Sequence, residues 1–132
     1  MNWRTFFRGL LAVFFIGAGA NHFRDVEFYQ TMMPPWLPWH LPLIYASGVA
    51  EILGGLGVLL PATRRLAGWG LIVLLLAIFP ANLHLALHHV SVPGLNIPAW
   101  VLWARLPFQA VFIAWVWWTA LAPDRAAARP AS

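Results

Sequence analysis

Two formal charges stand deep inside long apolar runs of this sequence: Glu51 within Leu41–Leu60, and Arg105 within Ile97–Leu121. At 1.5 Å of helical rise per residue they lie about 15 and 12 Å below the same surface of a bilayer. Each alone costs roughly 2.5–3.5 kcal/mol at mid-membrane, so both are expected to face inward. Their opposite signs and similar depth predict an ion pair, the planar guanidinium matched to the carboxylate. Gln109 is one helical turn beyond Arg105, and Ser47 one turn before Glu51, beside Gly48 and Gly55. Asn82 and His84 follow Pro80, whose missing N–H frees a carbonyl; they point about 200° apart, so one of them enters the core. Glu51, Asn82, Arg105 and Gln109 are thus expected to line one polar pocket, with His22 at its rim. Such a pocket suits a ligand or a proton. The alternative is that these polar groups only glue helices together.

Other chemistry is poorly served. The chain has no cysteine, which removes disulfides, thiol relays, zinc-thiolate sites and iron–sulfur clusters. Ser47 and Ser91 lack a histidine–acid arrangement, and Gly54-Gly55-Leu56-Gly57 lies inside an apolar run rather than in a phosphate-binding loop. His84 and His88 have the i, i+4 spacing of metal ligands, and His22 in the first run could face them as a second haem ligand, but no acidic residue lies near His88 in sequence and histidines at the outer rim are commonly just interfacial. No metal site and no catalytic residue is assigned.

The elements that must position the polar groups follow from composition. Of 132 residues 61% are hydrophobic and 9% charged, against roughly 45–50% and about 25% in soluble domains. A chain this short has too little interior to hide so much apolar surface. Four runs reach the roughly 20 residues that cross a hydrocarbon core, at about 3–23, 41–60, 66–89 and 97–121. No alternation of polar and apolar residues survives through them, so strands are excluded. An all-α integral membrane four-helix bundle is expected over residues 1–125, with 126–132 as a flexible tail. The net charge of +4 comes from scattered arginines rather than a basic patch, which excludes nucleic acid as a partner and leaves the lipid bilayer.

The arginines also orient the chain. Arg4, Arg8, Arg64, Arg65, Arg125 and Arg129 fall on one side of alternating spans, against Arg24 on the other. Both termini are therefore expected in the cytoplasm. The start would also suit a cleaved secretory signal ending near Ala18-Gly19-Ala20, although the apolar character continues past that point to Phe23. Thr63-Arg64-Arg65 after Pro61 makes a tight turn between antiparallel neighbours. Between spans 1 and 2, Asp25–His40 holds Pro34, Pro35 and Pro38 with Tyr29, Trp36 and Trp39; it is expected as an extended outer cap with its rings among headgroups. Gly48, Gly55 and Ala62 offer close-contact surface, within one copy or between copies.

Four segments in order, Gly19-Ala20-Asn21-His22-Phe23, Ser47-Gly48-Val49-Ala50-Glu51-Ile52 with Pro61 and Arg64-Arg65 after it, Phe79-Pro80-Ala81-Asn82 and Arg105-Leu106-Pro107-Phe108-Gln109, resemble the DoxX family. The resemblance covers nearly the whole chain. It implies a multi-pass protein of the bacterial inner membrane and a quinone-associated redox role, as an accessory or membrane-anchor subunit rather than a self-sufficient enzyme. A quinone is the cofactor it implies, with Glu51, Asn82, Arg105 and Gln109 at the headgroup. A redox protein or a second copy of the chain is the partner. The other function considered is a non-catalytic scaffold that helps assemble another membrane protein.

Overall fold

A computed structural model describes residues 2–88 and 97–123. The His89–Asn96 loop, Arg125, Arg129 and the tail 126–132 lie outside the described residues. Within them every regular element is helical: α1 (Trp3–Arg24), α2 (Val26–Met32), α3 (His40–Leu59), α4 (Arg64–His88) and α5 (Ala99–Val116), which widens into a π-helical turn at Trp117–Leu121. Four of these segments, Trp3–Arg24, His40–Leu59, Arg64–His88 and Ala99–Leu121, are long and apolar enough to cross a membrane. α1 packs most extensively on α3, α3 on α4, and α4 on α5, and the end of α5 returns to α1, closing a bundle. Large apolar side chains such as Val13, Leu66, Val73 and Trp100 point outward. That surface suits lipid rather than water.

The closest helix contact is built from glycine. A Cβ added at Gly19 would lie 2.6 Å from the Gly48 carbonyl oxygen, and one at Gly48 would lie 2.8 Å from His22 Cβ. Gly55 meets the Ala12 carbonyl and Ile16 in the same way. Only hydrogen side chains let these two backbones approach so closely. Gly48 and Gly55 are thereby used within one chain.

The end of the bundle where α1 starts is closed by arginine. Helix C-termini leave carbonyls without intrahelical donors, and a cation suits the negative end of the dipole. Arg4 donates to the Ala122 and Pro123 carbonyls, and Arg8 Nε to the Thr119 carbonyl at 2.9 Å. Arg64 Nε donates to the Val58 carbonyl at 2.9 Å, at the end of α3. In the π-helical turn the Ala122 N–H bonds the Trp117 carbonyl, and Trp115 Nε1 reaches the Phe7 carbonyl. Leu11, Phe15, Val58, Leu71, Leu75 and Val116 pack into a continuous core above this end.

The segment after α1 departs from expectation. Val26–Met32 is helical rather than extended, because the prolines begin only at Pro34. Phe28 and Met32, one turn apart, pack with Leu85, Ala86 and Leu102 into a second, smaller core. α2 stops at Met33, at φ −71° and ψ 133°, the extended backbone favoured before proline. Pro34 is buried, and its carbonyl bonds His40 Nε2 at 3.1 Å. Trp39, just before α3, is the one non-glycine residue with positive φ among those described, at φ 57°, a left-handed geometry that costs a bulky side chain about 1–2 kcal/mol.

Candidate functional site

A cavity of about 720 Å³ is lined by residues of both cores, Leu75 of the larger and Met32 of the smaller. Its walls are mostly apolar. Phe14 of α1 stacks on Phe112 of α5, ring centroids 4.6 Å apart, and Phe108, Ile78 and Ile44 continue the lining. Met33, Pro34, Trp36 and Leu37 close it on the side of the α2–α3 connection. The polar lining consists of His22, Tyr29, Ser47, Glu51, Asn82, Arg105 and Gln109. Glu51, Asn82, Arg105, Gln109 and His22, singled out from sequence, thus meet around one space.

They do not pair as expected. Glu51 lies against His22, with Oε2 3.1 Å from Nε2; Arg105 makes no hydrogen bond or ion pair with the described residues. Depth along a helix was the wrong guide. The glycine contact between α1 and α3 draws His22 inward, so that it is buried beside Glu51 rather than placed at a rim. Around the helix, Arg105 faces the cavity from α5. Tyr29 lies near enough for the Arg105 charge to act on it.

The His22 ring is held on three sides. Nδ1 is 3.0 Å from the Ile44 carbonyl and 3.2 Å from Ser47 Oγ, and Tyr29 stacks on the ring face at 4.0 Å between centroids. A carbonyl can only accept, so Nδ1 carries a hydrogen. Nε2 then faces the carboxylate. Without a proton between them two lone pairs would oppose each other at 3.1 Å, so one proton is shared by the Nε2–Oε2 contact and the pair carries no net charge. Glu51 Oε2 is fully buried and receives no well-directed hydrogen bond beyond this off-axis contact.

Asn82 and Gln109 behave differently. Asn82 Nδ2 donates to Gln109 Oε1 at 2.9 Å, and Gln109 Nε2 donates to the Leu75 carbonyl. That carbonyl adjoins Leu76, whose acceptor Pro80 leaves without its usual donor. Asn82 enters the core and His84 stays partly exposed. His88 Nδ1 turns back to the His84 carbonyl at 3.1 Å. Both nitrogens of His22 are occupied, and no group of three metal-ligating side chains occurs among the described residues.

Tyr29 is the site residue that sequence reading missed, because its proline-rich context suggested a headgroup ring. Its distance of two helical turns from His22 is a same-face signal, hidden by the break at Asp25. Asn21 Nδ2 donates to the Tyr29 hydroxyl at 3.1 Å. Burial pushes that hydroxyl above its ordinary pKa, and the carboxylates of Glu51 and Asp25 push the same way; the Asn21 bond and Arg105 pull back.

The arrangement defines a multi-pass type of helical protein with a ligand-sized apolar cavity, one proton-sharing pair and one guanidinium turned into it. The chain belongs to the family described as Domain of unknown function (DUF8561), whose model matches residues 11–120. That stretch contains every residue lining the cavity. No curated protein and no solved structure matches.

Proposed function

We propose that this chain is a DoxX-like protein of the bacterial inner membrane, both termini cytoplasmic, acting as an accessory or membrane-anchor subunit of a quinone-linked redox system. The cavity is the headgroup site in this reading, closed outward by the α2–α3 connection. The observation that carries it is a cavity of about 720 Å³, within the range of small-molecule sites, into which Arg105 is turned without a hydrogen-bond or ion-pair partner among the described residues.

A quinone fits these residues. Arg105 supplies several N–H donors and no acceptor, which suits a ring carbonyl oxygen. Glu51 and His22 hold a proton at the Nε2–Oε2 contact, and Tyr29 and Ser47 add hydroxyls. Phe14, Phe108 and Phe112 present flat apolar surface for the ring. When bound, a quinone supplies two-electron, two-proton redox chemistry; the chain itself binds, orients and holds the proton. The electron donor belongs to a partner protein.

The test is protein purified in mild detergent, extracted for quinone and inspected by absorbance and mass. Titration with decylubiquinone, followed through tryptophan emission because Trp36 lines the cavity, completes it. Retained quinone, or saturable binding weakened by Arg105→Met, is expected. Neither retention nor binding would overturn the reading and leave the scaffold, which the closed Asn82–Gln109–Leu75 set favours as helix glue. Orientation is checked by single cysteines in this cysteine-free chain: one at Thr63 should react only from the cytoplasmic side.

A further inference from the structure

The formal charges around the cavity do not cancel. Its lining holds three groups able to carry charge at neutral pH: Glu51, His22 and Arg105. The first two share a proton and contribute none. Arg105 is always a cation, and it has no carboxylate within ion-pair distance among the described residues. A single positive charge therefore faces walls made largely of Phe14, Phe108, Phe112, Ile78 and Leu75. An unpaired charge in such surroundings is costly, and a counter-charge brought by a ligand removes that cost.

We infer that the cavity takes a singly charged carboxylate amphiphile of the fatty-acid type, its oxygens on the Arg105 guanidinium and its apolar body along the phenylalanine walls. The guanidinium fork matches two carboxylate oxygens at once. The cavity size suits a single-chain body, and the Glu51–His22 pair, already neutral, does not repel the head. The inference rests on reading this cavity as a ligand site, not on the redox role.

The experiment compares laurate with dodecanol, which share a chain and differ in charge, on the full protein in neutral detergent by calorimetry and tryptophan emission. Laurate should bind at least about tenfold more tightly, a difference of about 1.4 kcal/mol, and should raise the melting temperature of the wild type where dodecanol does not. Arg105→Gln should abolish the preference, and Arg105→Lys should keep part of it. Equal binding of the two probes, no thermal shift with laurate, or a preference that persists in Arg105→Gln overturns the inference. Decylubiquinone in a parallel arm separates the two readings. Quinone binding without laurate binding sinks only this inference, and laurate binding without quinone binding sinks only the redox function.

Discussion

Arg8 and Arg105 are the same side chain on the same kind of apolar helix, and the fold treats them in opposite ways. Arg8, with Arg4 and Arg64, spends its N–H groups on carbonyls that helix ends leave free. Arg105 is set in mid-span, faces a cavity and bonds none of the described residues. At the arginine-closed end, core, π-helical turn and caps are joined to one another by these bonds. The cavity end holds a sealed part, Asn82 with Gln109, and an unsealed part, Arg105, which lines the same cavity as Glu51 and His22. A polar group that is merely tolerated in a membrane finds a protein partner. Arg105, without one among the described residues, is what the proposed ligand reading rests on.

The largest effect expected is on the contact that creates the cavity end. Gly48→Val should cost about 3 kcal/mol, the upper part of the overpacking range, because its first new atom meets His22 and the Gly19 carbonyl. Gly70→Val, with nothing near its added Cβ, should melt like wild type; equal losses at both positions would mean that the glycine contact is not what holds α1 to α3.

Breaking the arginine comparison comes next. Arg8→Met should lower stability by about 1.5 kcal/mol, the loss of a charge-assisted bond. Arg105→Met should leave the ligand-free protein unchanged or more stable by about 1 kcal/mol, allowing for partial screening. Melting curves in detergent read both, and a loss on Arg105→Met as large as on Arg8→Met would show that Arg105 also serves the fold.

Glu51→Ala and His22→Ala should each cost about 1–3 kcal/mol, the range for orphaning a buried polar partner. The double variant should lose less than the sum of the two single losses, since the Nε2–Oε2 contact is removed in both singles, while His22→Ala also gives up the Ile44 bond and the Tyr29 stack. Additive losses in a double-mutant cycle would refute the pair.

The smallest effect is at high pH. The Tyr29 pKa is raised by folding, so its contribution is complete below the unfolded value, about 10, and fades as pH climbs from there through the folded value. Tyr29→Phe should melt with less sensitivity to alkali than wild type across that window. An identical alkaline decline in both proteins would remove Tyr29 from the account.

Composition and run length were enough to find the four membrane-length helices, because a bilayer-sized apolar stretch has few other structures open to it. The set of cavity residues was legible for a related reason: Glu51, Asn82, Arg105 and Gln109 are polar where lipid forbids it. Which of them touch was not. Depth along each helix can be counted from sequence, but rotation about the axis and the spacing between axes cannot. The Gly19–Gly48 approach decides both for His22. Formal charge misled as well, since it ranks arginine above histidine as a partner for glutamate, while the histidine is the side chain that the fold brings within 3.1 Å of the carboxylate. Tyr29 was hidden because prolines downstream of Met33 coloured the reading of a helix that ends before them.

The bond from Nδ1 of His22 to the Ile44 carbonyl leaves the imidazole a single working edge. Turning the ring over would take the Nδ1 hydrogen from that carbonyl, which Ser47 Oγ also reaches at 3.0 Å, and would leave the Tyr29 stack in place, since the ring plane does not change. As the ring sits, its other nitrogen is turned to Glu51 alone, so the carboxylate is the first group that any change at that nitrogen would reach.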